Sequence, residues 1–105
     1  MDISFGASIS GVNAAFTRQA VSANDIANVD TPGYRQVNVV QTDVQPAGTR
    51  IAALVRTPNP NPAVSGTDLA EEMKEQKVST YDEQANLRVI KMKDKMVKET
   101  LDLLA

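Results

Sequence analysis

The sequence predicts a mainly α-helical fold with a small β-hairpin. An N-terminal helix and a long C-terminal helix pack as an antiparallel coiled coil, with an extended or β-structured middle between them. Three observations carry this expectation. Apolar residues recur at steps of three and four near the N-terminus, β-branched residues crowd positions 36–56, and neither Gly nor Pro occurs after Asp68. At 105 residues the chain is one small domain, 1–105.

Residues 3–28 form the first helix. Ile9, Val12, Phe16, Gln19 or Ala20, Ala23 and Ile26 make a narrow, Ala-rich stripe that lets another helix approach closely. Gly6 and Gly11 interrupt its first half, each at about 1 kcal/mol relative to Ala. Such a segment is marginal alone and becomes ordered on packing. The direction change follows in 29–35, where Thr31-Pro32-Gly33-Tyr34 reads as a type II turn. Pro32 fixes its own φ and keeps Thr31 out of the helical region, and Gly33 suits the positive φ of the second central position.

Residues 36–56 read as a hairpin. Val37 and Val39 alternate, then after a slip Val40, Thr42 and Val44 do so. Gln45-Pro46-Ala47-Gly48 marks a turn, and Arg50–Arg56 supplies the second strand. Two strands alone are marginally stable, so the hairpin must lie on a helix or a neighbouring molecule. Residues 57–66, with Pro at every second position from Pro58 to Pro62, form an extended connector.

The last element is a helix over 68–104, started by Asp68 as N-cap with Glu71 three residues on. Acidic residues come first (Glu71, Glu72, Glu75) and basic ones later (Lys91, Lys93, Lys95, Lys98), a polarity that complements the helix dipole. Two apolar stripes run along it. One is Val78, Tyr81, Ala85, Val89, Met92 and Met96; the other is Leu87, Ile90, Val97, Leu101 and Leu104. The first helix covers one stripe, and the other requires a second molecule.

Composition narrows the function. The hydrophobic fraction is 42% but aromatics are only 4%, so an isolated core is weak and partner chains supply part of it. The net charge of −2, with no pooling of basic and aromatic residues, disfavours nucleic acid. No run approaches a membrane span, and MDISFGASIS lacks the basic flank and long apolar run of a cleaved signal peptide. Without His or Cys there is no thiol nucleophile, no Cys/His triad and no His-based metal site. The carboxylates, such as Glu71 and Glu75, sit on a charged helix face, and no Gly-rich phosphate loop occurs. No catalytic residue, cofactor, metal or small-molecule substrate is expected.

The stretch Ala23–Tyr34, ANDIANVDTPGY, resembles the signature of the bacterial flagellar axial proteins (rod, hook and hook-associated), usually close to ANNIANxxTPGY, with Asp25 where Asn is commoner. Asp68-Leu69, Glu72-Met73, Tyr81, Ala85-Asn86, Val89-Ile90, Met96 and Leu101 resemble that family's C-terminal segment. Length points to the proximal rod. Gly48–Pro60 is similar to the middle of the C-type subunit, while the short connector departs from it and leaves the B-type, or a divergent member of the group, open.

The resemblance implies a structural subunit, exported without a cleaved signal through the flagellar export apparatus. It would assemble with its own copies and other rod proteins in the periplasm-spanning rod of the basal body. Asn24, Asn28, Thr31, Pro32, Gly33 and Tyr34 would set the helix exit and turn. Ile9, Val12, Phe16, Ile26, Tyr81, Ala85, Asn86, Val89, Ile90, Met96 and Leu101 would serve helix packing and assembly. Two other readings compete: a free-standing coiled-coil adaptor or chaperone-like helical binding protein, and a small carboxylate hydrolase for which no pocket is identifiable.

Overall fold

A computed structural model describes residues 3–104, with side chains from residue 5; the ends of the expected 1–105 domain (Met1, Asp2 and Ala105) lie outside the described residues. The elements are α1 (Ile3–Ala27), β1 (Val37–Asp43), β2 (Thr49–Arg56) and α2 (Leu69–Leu104). Mainly helical architecture with one antiparallel two-stranded hairpin is therefore found as expected. The molecule is elongated, 68 × 23 × 14 Å, because α2 alone spans about 54 Å at 1.5 Å per residue.

The two helices are antiparallel. Gly11 lies against Asn86, Arg18 pairs with Asp82 and Glu75, and Ser22 meets Glu72, so position falls along α2 as it rises along α1. Eight residues back from Gly11 to Ile3 correspond to eight residues on from Asn86, which reaches Asp94. The end of α2, with Met96, Val97, Leu101, Leu103 and Leu104 all exposed, thus runs past Ile3.

The seam between the helices differs from the stripes read in the sequence. On α1 the inward residues Ser8, Val12, Ala15, Gln19 and Ser22 are spaced by four and three. On α2 the inward positions are Glu72, Gln76, Ser79, Glu83, Asn86 and Ile90, at the same spacing and mostly polar. Of the two apolar stripes of α2 only Ile90 is half-buried. Val78, Tyr81, Ala85, Val89, Met92 and Met96 are exposed, and so are Leu87, Val97, Leu101 and Leu104. The expectation that α1 covers one stripe is therefore corrected. Small residues on α1 bring the backbones together, and hydrogen bonds across the seam then favour the polar row of α2. Gln76 donates to the Gln19 carbonyl (2.8 Å), and Gln19 donates to Glu83 (2.7 Å).

At Gly11 the two helices approach closely. A Cβ there would fall 2.6–2.8 Å from the Asn86 amide, which is itself tied to the Asp82 carbonyl (2.8 Å). Gly11→Ala should gain about 1 kcal/mol of helix propensity in a free helix yet lower the stability of the chain. Gly11→Ala combined with Asn86→Ala should recover it, as read by urea unfolding. A single variant more stable than the parent would show that the contact is not tight.

The hairpin packs on α1 alone, on the side away from Ile9 and Phe16. The Thr49 amide donates to Ser10 Oγ (3.1 Å) at one end, and the Val37 amide donates to Asp25 at the other. Strand pairing runs from Val37 opposite Arg56 to Asp43 opposite Thr49, with an irregularity between Val40 and Gln41 that leaves Ala52 unmatched. The half-buried positions shift phase there, from Val37 and Val39 to Thr42, which is where the sequence alternation slips. Val40 and Val44 consequently face solvent.

Among the described residues Val12, Ala14 and Ala15 are the buried apolar side chains; Ser8, Ser22, Asp25, Gln36, Glu72 and Ser79 are buried with them. At the start of α2 the Asp68 carboxylate accepts the Glu71 amide (3.2 Å), as an N-cap does. Glu71 and Glu72 occupy the first turn, but the last turn holds no basic residue, so the charge polarity complements the dipole at the N-terminal end only.

Candidate functional site

The joint where α1 ends, the chain turns and α2 begins is densely hydrogen-bonded. Pro32 and Gly33 occupy the centre of the turn. Gly33 has φ +78°, and the Tyr34 amide donates to the Thr31 carbonyl at 3.2 Å, as a type II turn requires. The Asn28 side chain donates to the Asn24 carbonyl (2.8 Å) and accepts from the Thr31 hydroxyl (3.0 Å), binding the helix end to the turn.

The connector is stitched onto this turn. The Gly33 amide donates to the Val64 carbonyl (3.1 Å), while the Gly66 amide and the Asn59 side chain both donate to the Tyr34 carbonyl (2.9 and 3.1 Å). Ser65 donates to the Asn28 carbonyl (2.7 Å) and Thr67 to the Asp25 carbonyl (3.1 Å). Both carbonyls also accept a backbone amide, from Thr31 and Asn28, so the two hydroxyls from just before α2 add a second bond to each and tie the connector to the helix exit.

At the centre lies Asp25, fully buried. Its carboxylate accepts the Tyr34 hydroxyl (2.6 Å) and the Val37 amide (3.1 Å), so one side chain holds both the turn and the first residue of β1. Asn24 also donates to the Tyr34 oxygen (3.1 Å), and the Arg56 guanidinium lies 5.9 Å from the centre of the Tyr34 ring. Burial, reinforced by the Asp25 carboxylate, raises the Tyr34 pKa above its ordinary value of 10.0. Tyr34→Phe should cost about 1–2 kcal/mol by removing a donor from a buried carboxylate, measured as a lower urea midpoint; an unchanged midpoint would show that the hydroxyl contributes nothing.

Gln36, also buried, bridges to the second helix. Its amide donates to the Glu72 carboxyl (2.6 Å) and its carbonyl accepts the Asp68 backbone amide (2.8 Å). Ser22 donates to the Glu72 carbonyl (2.9 Å). Burial, together with the nearby Asp25 and Glu71, raises the Glu72 pKa above 4.5, against the opposing effect of the Ser22 hydroxyl. Arg18 does not reach this pair, since it is committed to Glu75 (2.6 Å) and Asp82 (2.7 Å). Burial lowers the Arg18 pKa, but those two carboxylates outweigh it and leave the group raised.

The residues expected in the turn, Asn24, Asn28, Thr31, Pro32, Gly33 and Tyr34, are thus brought together. The packing set is scattered. Val12 is buried, Ile26, Asn86 and Ile90 are half-buried, and Ile9, Phe16, Tyr81, Ala85, Val89, Met96 and Leu101 lie exposed along the helices. Sequence reasoning missed the parts played by Gln36, Ser65 and Thr67, and it noted Asp25 only as a departure from Asn. A polar residue at position 25, in line with the hairpin-facing side of α1, was the one available signal.

Beside the joint, an open cleft of about 410 Å³ is bordered by Arg18, Val39, Gln41, Glu71 and Glu75. Among the described residues no group of three His, Cys, Asp or Glu is placed to hold a metal ion, and no helix is long and apolar enough to cross a membrane. What the arrangement does chemically is hold three chain segments in one geometry.

A protein-family model described as "Flagella basal body rod protein" matches residues 6–35, which covers most of α1 and the whole turn but none of α2. No curated protein matches the chain. The family match supports a structural role in the flagellar basal body rod, and it falls on the segment whose hydrogen bonds build the joint.

Proposed function

We propose that this chain is a structural subunit of the proximal rod of the bacterial flagellar basal body, assembling with its own copies and other rod proteins to transmit motor torque. One observation carries the reading: a single chain leaves its apolar surface on both helices uncovered. Ile9 and Phe16 on α1, and Tyr81, Met92, Met96 and Leu101 on α2, are each 42–63% exposed. Scattered exposed apolar residues are ordinary; rows at helical spacing along two paired helices are what subunit packing buries. The match over 6–35 supports the same reading. In this account the subunit reaches the rod through the flagellar export apparatus and lies in the periplasm-spanning part of the basal body, with no bond-making chemistry.

The same exposed rows also suit a discrete helical dimer, such as a free-standing coiled-coil adaptor or chaperone-like binding protein. Basal bodies purified from the bacterium that makes the chain distinguish the two. The rod reading expects the chain within them, and amide protection of α1 and α2 that rises on assembly. A stable, concentration-independent dimer absent from basal bodies would overturn it.

A further inference from the structure

The rod reading leaves open what each exposed row meets, and one row on α2 is more than a plain stripe. Val78, Tyr81, Ala85, Val89, Met92 and Met96 are exposed, and Thr100 and Leu103 continue them at the same steps of three, four and four. The steps repeat every eleven residues: Val78 with Val89 and Thr100, Tyr81 with Met92 and Leu103, Ala85 with Met96. That period is about 3.67 residues per turn, close to the α-helix itself, so the row keeps to one side of α2 along its whole length. Nothing in the chain covers it, since α1 lies on the opposite, polar row of α2 and the hairpin packs on α1.

Charges border the row on the same period. One edge carries Glu71, Asp82 and Lys93, the other Lys77, Arg88 and Glu99. Each edge holds both signs, and the two edges are opposite in sign at corresponding steps. An occupant of one charge would meet like charge somewhere along either edge. A second copy of the same face meets opposite charge along most of both.

We propose that this face of α2 pairs with the same face of a second copy, the two helices parallel and in register. It rests on the part of the rod reading in which copies of this chain meet, and it names the face, polarity and register of one such contact. In this pairing each row residue meets its counterpart, and the small Ala85 lets the helices approach at mid-row. The edges then interleave. Glu71 lies near Lys77 of the second copy, Lys77 near its Asp82, Asp82 near its Arg88, and Lys93 near its Glu99. Arg88 and Lys93 are the one like-charged neighbour pair, and Lys93 is also engaged within its own chain. Asp82 is shared with Arg18, and its side chain is half-exposed. The ends of α2 that run past α1 lie side by side, so Met96 and Leu103 cover one another. Ile9 and Phe16 on α1, and Leu87 and Leu101 on α2, remain outside the pair for further contacts.

The chain has no Cys, so single cysteines report the pairing directly. Ala85→Cys, Val89→Cys and Met92→Cys are oxidised one at a time with copper phenanthroline in the full-length chain, with exposed Leu87→Cys as the control off the row. Each of the three row variants is expected to form a disulfide-linked dimer by itself, faster than Leu87→Cys, because parallel register sets every row position against its own copy. Lys77→Glu is expected to slow the Ala85→Cys cross-link about two- to fivefold, the size of an exposed charge contact, and added salt to remove that difference. Row variants that cross-link no faster than the control overturn the proposal, and so does cross-linking only between two unlike variants, the pattern of an antiparallel pair. The chain found in basal bodies without these cross-links ends the proposal and spares the rod reading; the cross-links in a chain absent from basal bodies do the reverse.

Discussion

Gly33→Val is expected to destabilise the chain by about 1–3 kcal/mol, the cost of forcing a β-branched residue into the left-handed region, and to block its assembly. The cause is backbone conformation and not space. Gly33 sits at φ +78°, while an added Cβ would meet only the Pro62 carbonyl at 3.7 Å, an ordinary contact. Relief would require the turn to change type. That would move the Gly33 amide off the Val64 carbonyl and carry the Tyr34 hydroxyl away from Asp25. Gly33→Asn provides the control, because Asn tolerates the left-handed region at lower cost. The expected order in urea midpoint and in incorporation into basal bodies is Gly, then Asn, then Val. Equal midpoints for the Val variant and the parent would remove the turn from the account.

Ala15→Leu is expected to be comparably damaging, at about 1–3 kcal/mol for overpacking a close-packed site. Ala15 is 1% exposed, between Gly11, where α1 touches Asn86, and Ser22, which donates to the Glu72 carbonyl. Added carbons there push the helices apart and lengthen every hydrogen bond across the seam. Ala20→Leu makes the same chemical change on the exposed side of α1 and should leave the stability of the isolated chain within about 0.5 kcal/mol, as surface substitutions usually do. Helix content by circular dichroism and a urea midpoint read both. If the two leucine variants unfold together, the small-residue seam is not what holds the helices.

Much of the local structure was legible in the sequence because its causes are local. Pro32 and Gly33 impose the turn through their own dihedral preferences, Asp68 caps the backbone three residues ahead, and a chain without Gly or Pro continues as helix to Leu104. The slip in the valine alternation foretold the phase change of β1, since a strand can keep its inward face across an extra partner residue only by shifting phase. Asn24, Asn28 and Tyr34 were singled out with the turn, and their side chains do meet around it.

The seam was not legible. Apolar periodicity identifies a face that favours burial, and the sequence offered several: Ile9 with Phe16, Tyr81 with Val89, Leu87 with Leu101. The folded chain buries none of these fully, and aligns Ser8, Ala15 and Ser22 with Glu72, Ser79 and Asn86 instead. That choice depends on how closely two backbones approach and on hydrogen bonds between residues 50 to 64 positions apart, such as Ser22 to Glu72 and Gln19 to Glu83. The roles of Gln36 and Glu72 were hidden for the same reason, since each is an unremarkable polar residue until the other helix arrives.

By itself, then, the sequence determined the elements, the turn between them and the antiparallel return of a long second helix, because dihedral preference and periodicity act over a few neighbouring residues. Tertiary structure alone decided which faces meet. It closed the joint through the buried side chains of Asp25, Gln36 and Glu72 and left the apolar stripes outside, because the proximity of distant side chains sets the packing.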